Sequence, residues 1–244
     1  MEKRNQKSWL TLSSVDIVPS LSVRIPTVGE ILDAEDTYYG IVSSLTATPF
    51  QYMVQLDDMG IDYTQITDYE LFKMLFLAYA KSDLSILFGD LNTSDFQIHI
   101  DTQNHDQVLY SPCSDIMIDE LVYHDLADAI RKINLLEKVT AKPGNEAAKK
   151  YLLEKERKKQ KRDEKKPHES YLEKLVIALV NTSEFPYNYE SCMNLSIYQF
   201  NQSFRQIQHK ITFDNTMIGV YAGTVDTSKL NNKEYLSWIS INQK

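Results

Sequence analysis

One run of charge limits what this chain can build. From Lys149 to Lys166 there are ten Lys/Arg and four Asp/Glu, a local charge of +6. After Leu153 no apolar residue occurs before Pro167, so this part has nothing to place in a core. Only upstream do Ala148, Tyr151 and Leu152 fall at helical spacing. The segment opens after a helix stop, Pro143-Gly144, and closes at a proline. A helix over residues 154–166 would be about 20 Å long at ~1.5 Å per residue. The whole chain carries −8 at pH 7, so the remainder carries −14. Between Pro26 and Asp125, eighteen Asp/Glu meet only Lys73 and Lys81, a net −16. A basic rod therefore divides a strongly acidic half from a C-terminal half.

At 244 residues the chain suits one large domain or two small ones. Cys113 and Cys192 match no metal or redox spacing and read as reduced thiols of a cytosolic protein. No apolar run approaches the ~20 residues that span a bilayer, so no membrane contact is expected. The start, MEKRNQKSWLTL, lacks the apolar core of a signal peptide.

Local patterns predict a mainly α (α+β) fold: helical lobes, one small β-hairpin and a basic linker helix. Residues 1–25 read as an extended arm. Val15, Ile17, Leu21, Val23 and Ile25 sit at even spacing, but Pro19 reduces the run to an edge strand at best. Residues 26–142 read as an acidic helical lobe. Thr27 with Glu30 and Thr67 with Glu70 have the form of capping boxes. Residues 36–47 and a segment after Pro49, stopped by Gly60, supply two further helices. The helix after Thr67 is the most apolar, with Leu71, Met74, Leu75 and Ala78 as its expected inward stripe. At Phe96 the period changes to two, which predicts a hairpin at about 95–118 with a loop over Thr102–Asp106 and a short third strand at Ile116–Ile118. Leu121, Val122, Leu126, Ala129, Ile130 and Ile133 mark an amphipathic helix over 119–138. Residues 143–167 form the basic linker, and 168–244 a C-terminal helical lobe. There Ser170 with Glu173 and Ser196 with Gln199 head two helices. Their expected buried stripes are Leu172, Leu175, Val176, Leu179 and Val180, then Phe200, Phe204, Ile207 and Ile211. A last short helix is expected around Tyr235, Leu236, Trp238 and Ile239.

Little of this carries chemistry. Asp57, Asp58, Asp62 and Asp68 crowd around Gly60, but with Gly60 at the sixth position of a calcium loop the other ligand positions fall on Gln55, Asp57, Met59 and Ile66, and the frame fails. Solvated turn carboxylates are the simpler account. His99, His105 and His124 lack metal-ligand spacing. There is no nucleophile elbow, no Walker A and no G-x-G-x-x-G. The expectation is a non-enzymatic protein with no cofactor, no metal and no catalytic residue.

The basic rod is the one candidate site, with Arg157, Lys158, Lys159, Lys161 and Arg162 as its partner-binding residues. Three readings stay open. It is a solvated linker helix, supported by neighbours such as Glu154 and Lys158. It docks onto an acidic surface, of a partner or of its own acidic half. Or it binds nucleic acid, against which stand its four internal acids, the acidic remainder of the chain and the lack of interleaved aromatics.

Several stretches carry a resemblance: IPTVGEILDAEDTYY, MVQLDDMGIDYTQITDYELF, LFGDLNTSDF, the rod KPGNEAAKKYLLEKERKKQKR, LVNTSEFPYNYESCMNLSIYQFNQSFRQI, GVYAGTVDTSKL and LSWI. Together they resemble an uncharacterised protein family of tailed phages and prophages of Gram-positive bacteria. The resemblance covers most of the chain after residue 25. It implies a role in virion morphogenesis, in the tail or baseplate module, and tail assembly chaperones are similar in kind. It implies other phage virion proteins as partners, and the host bacterial cytoplasm or the virion as location. It brings no catalytic motif to these positions. The alternatives are a structural component retained in the mature virion and a nucleic-acid-binding phage protein that uses the basic helix. The oligomeric state is left open.

Overall fold

Pro19 turns the N-terminal strand rather than ending it. The computed structural model describes residues 8–101, 105–165, 169–230 and 233–239. In it β1 (Ser14–Val18) and β2 (Leu21–Arg24) pair antiparallel. Ser20, at φ +67°, follows Pro19 in the tight turn between them. Proline fixes φ for the second turn residue, and a positive φ at the third completes the reversal. The expected arm is thus a hairpin, and Leu21, Val23 and Ile25 are fully part of the core. Upstream, the Trp9 ring lies under Lys132 Nζ at 4.2 Å, and Leu10 O accepts from Gln199 Nε2 at 2.8 Å. The start of the described chain is therefore strapped over two later helices.

Among the described residues ten α-helices and two small sheets give the mainly α architecture that the periodicities predict. The first five helices are α1 (Val28–Leu32), α2 (Glu35–Leu45), α3 (Met53–Asp58), α4 (Asp68–Tyr79) and α5 (Ser85–Phe88). Both expected capping boxes are present: Thr27 and Thr67 accept from Glu30 N and Glu70 N, and each glutamate reaches back to its cap's backbone N–H. Gly60, at φ +74°, follows α3 in the left-handed region. The inward face of α4 differs from the expected stripe. Tyr69, Phe72 and Phe76 enter the main core and Leu71 a smaller one, while Met74 and Ala78 face outward. A helix apolar on nearly every side has no intrinsic inside; its neighbours choose. Here the Tyr123 ring does so, with its centroid 4.6 Å from that of Phe72.

The second sheet has the order β3 (Gln97–Ile100), β4 (Gln107–Ser111), β5 (Ile116–Ile118), all antiparallel. The third short strand is real, and residues 102–104 of the expected loop lie outside the described residues. Alternation identifies β3 but not its burial: Ile98 and Ile100 are exposed, because β3 is an outer strand and the core covers Leu109, Ile116 and Ile118 of the two strands beyond it. α6 (Glu120–Asn134) is capped by Asp119, whose carboxylate accepts from Val122 N at 2.8 Å. Leu121, expected on its stripe, is exposed, and Tyr123 takes the inward place.

α7 (Glu146–Asp163) is the basic rod, followed by α8 (Tyr171–Val180), α9 (Tyr189–Met193) and α10 (Ile197–Tyr221). Ser170 caps α8, accepting from Glu173 N, but the reciprocal acid is not Glu173. Glu35, at the start of α2, accepts from Leu172 N at 3.0 Å and from the Ser170 hydroxyl. Leu175 and Val180 are half-buried, and Leu172, Val176 and Leu179 form the buried stripe. The expected last helix is a single 3-10 turn, Lys233–Leu236. One hydrophobic core runs from Leu21 through α2, α4 and α6 to Leu172, Phe185 and Ile207. The acidic half and the C-terminal stretch therefore share a core instead of forming two. A second, smaller cluster collects Ala47, Met53, Val54, Leu56, Tyr63 and Leu71.

Candidate interaction surface

α7 begins where Asn145 Oδ1 accepts from Ala148 N at 2.8 Å, and none of its residues is fully buried. Leu152 and Leu153 lean on the smaller cluster, and they are its only apolar anchors there. Residues of the same helical phase continue the contact electrostatically. Lys149, four positions before Leu153, puts Nζ 2.6 Å from Asp62 Oδ2. Arg157, four after it, puts Nη2 2.6 Å from both Asp57 Oδ2 and Asp58 Oδ1. The rod thus clasps the turn around Gly60 on the acidic half of its own chain.

The electrostatics agree with the geometry. Asp62 accepts from Lys149 and from the backbone and hydroxyl of Thr64, and its carboxyl is drawn down from the usual 3.8 to about 2, the Lys149 hydrogen bond contributing most. Lys149 is correspondingly raised, again mainly by Asp62. Its ammonium also lies 5.8 Å from the centroid of the Tyr63 ring.

Of the five expected partner-binding residues, the structure separates one from four. Arg157 points inward and is engaged by Asp57 and Asp58. Lys158, Lys159, Lys161 and Arg162 are exposed. Lys159 contacts Glu156 at 3.2 Å, and Arg162 Nε lies 4.0 Å from Asp163. The reason is in part helical phase: Arg157 shares the face of Lys149 and Leu153, while Lys158 and Arg162 point away from it; Lys161 continues the phase of Arg157 one turn further on and is exposed there. The acids that receive the rod were visible in the sequence as carboxylates near Gly60. The signal that could have paired them with α7 was the opposition of +6 and −16. Among the described residues, no three His, Cys, Asp or Glu side chains are placed to hold a metal ion, and no helix is long and apolar enough to cross a membrane.

Residues 159–241 match the family model described as the YomV second domain; YomV is a Bacillus phage or prophage protein. The match supports a phage-family protein. It begins inside α7 and takes in α8, α9 and α10. No curated protein and no solved structure matches the chain.

Proposed function

We propose that this is a non-enzymatic phage protein of virion morphogenesis, a tail or baseplate assembly chaperone that binds other virion proteins. The outward face of α7 is its recognition element, and the partner surface is acidic. One observation carries this reading. α7 turns Leu152, Leu153 and two cations, Lys149 and Arg157, toward its own chain, while Tyr151 of its expected apolar face is exposed and Lys158, Lys159, Lys161 and Arg162 stay in solvent. A helix needed only as a spacer has no use for such a division. The phage-family match and the resemblance to phage proteins supply the biological setting.

The test reverses Lys158, Lys159, Lys161 and Arg162 to Glu. Exposed charges contribute only ~0–1 kcal/mol each, so thermal melting stays close to wild type. Capture of tail proteins from an infected-cell lysate falls, and wild-type capture weakens with added salt. A variant that melts normally and still captures the same proteins makes α7 a solvated linker. A stoichiometric band of this protein in purified virions replaces the chaperone role with a structural one.

A further inference from the structure

α7 is held to the body of its own chain at few points. Leu152 and Leu153, both half-buried, are its apolar anchors. Its ion pairs lie near the surface: the side chains of Arg157, Asp57 and Asp58 are 34%, 50% and 58% exposed. Ion pairs this exposed contribute little and are screened by salt. The receiving acids stand at an unfavourable place. Asp57 and Asp58 are the last two residues of α3, the end at which a helix dipole disfavours negative charge. The docked rod also covers an unpaired polar atom. Lys149 Nζ lies over the Tyr63 ring, and the Tyr63 hydroxyl is buried with no hydrogen-bond partner among the described residues. Burial raises its pKa, and the charges that act on it are those of Lys149, Asp62 and Glu146, so it sits by the first turn of α7. A buried hydroxyl left unpaired costs stability, which water reaching it would recover. Upstream, the chain is fastened where Thr48 Oγ1 donates to Val139 O at 2.8 Å and Lys138 Nζ lies 2.6 Å from Asp68. Between that point and the cap Asn145 come Pro143 and Gly144, outside any helix or strand, where α7 can swing.

We propose that α7 is a self-competed binding helix: Asp57, Asp58 and Asp62 occupy Lys149 and Arg157 as an internal stand-in for the acidic partner, and the partner takes both cations by displacing that turn. This rests on the acidic-partner reading above and adds Lys149 to the recognition residues. The chemistry on the two sides is the same, carboxylate on ammonium or guanidinium, so both surfaces contend for the same donors. Within the chain three carboxylates hold the helix, each at 2.6 Å. A surface that brings more carboxylates and also meets Lys158, Lys159, Lys161 and Arg162 displaces them. Docked, α7 offers one face; released, it offers cations on every side. The internal competitor lowers the apparent affinity by the fraction of molecules in which α7 is free. Sparsely acidic surfaces are thereby rejected and densely acidic ones accepted.

The experiment titrates poly-L-glutamate onto the whole chain at low ionic strength. The variant combines Asp57→Asn with Asp58→Asn, which removes the ion pairs of Arg157 and relieves the end of α3. It should bind about 10-fold more tightly than wild type. The control makes the same change of two charges at Asp90 and Asp125, both exposed, and stays near wild type. A merely structural clasp predicts the reverse, equal or weaker binding from a loosened helix. Release is read without any partner, by the distance between spin labels on Cys113, which is exposed, and on Lys158→Cys. Wild type gives one narrow distribution, which broadens in the variant and at high salt. An unchanged distribution in the variant overturns the proposal, as does a gain in affinity no larger than the control's. The reversal of Lys158, Lys159, Lys161 and Arg162 to Glu separates the two readings. Where the reversal abolishes binding and the Asn variant equals wild type, the acidic-partner reading stands and the internal competition falls. Where the reversal changes nothing, or no protein binds, both fall.

Discussion

Thr27 and Ser196, the N-caps of α1 and α10, form an antiparallel bridge with each other. Val28 N donates to Leu195 O at 2.9 Å and Ile197 N donates to Pro26 O at 2.8 Å. The first N–H of each helix, which has no partner within its own helix, is thus satisfied by the approach to the other. Each cap side chain serves its own helix through a capping box. The start of the acidic half is in this way locked to the start of the longest helix. Thr27→Ala and Ser196→Ala should each lower stability by about 1 kcal/mol. The backbone bridge is retained in both, so the double variant should lose close to the sum in urea denaturation.

The contact between Lys149 and Asp62 should be sensitive to acid. The folded carboxyl titrates at about 2 against an ordinary 3.8, a depressed value. Its contribution is present above the ordinary value and disappears as pH falls from there toward 2. Lys149→Met removes the largest cause, so carbon-detected NMR titration should find Asp62 moved back toward 3.8. An unmoved carboxyl would assign the depression to Thr64 alone.

Gly219 holds the return of the chain after α10. Its carbonyl accepts from Thr224 N at 2.9 Å and Val225 N at 3.1 Å, and an added Cβ would meet Val225 Cγ2 at 2.6 Å. Gly219→Ala gains up to ~1 kcal/mol of helix propensity but forces Val225 away. Hydrogen exchange at the Thr224 and Val225 amides should accelerate while the amides of α4 and α6 stay protected.

On α8 the burial pattern ranks two substitutions. Val176 is inside the core and Leu175 only leans on it. Val176→Asp leaves an unpaired carboxylate inside and should cost several kcal/mol, enough to abolish cooperative unfolding. Leu175→Asp can turn its charge to solvent and should melt lower but still cooperatively. Equal damage from both would place Leu175 in the core as well.

The sequence by itself determined where helices begin, where strands alternate and how charge is divided. Thr27, Thr67 and Ser196 could be read as caps because a cap joins residues three apart, and its geometry needs no distant partner. The turn at Gly60 and the strands between Phe96 and Ile118 were legible for the same local reason. Only the tertiary structure decided which sides face inward. α4 is apolar almost all round, so the choice of Tyr69, Phe72 and Phe76 over Met74 and Ala78 was made by Tyr123 across the core. β2 became core because Pro19 and Ser20 reverse the chain. In the rod, composition revealed the charge, but α3 and the turn after it decided that Arg157 would be clasped while Lys158, Lys161 and Arg162 stay in water. Hydrogen bonding along the backbone is fixed over a few residues; burial depends on which surfaces distant parts of the chain bring to one another.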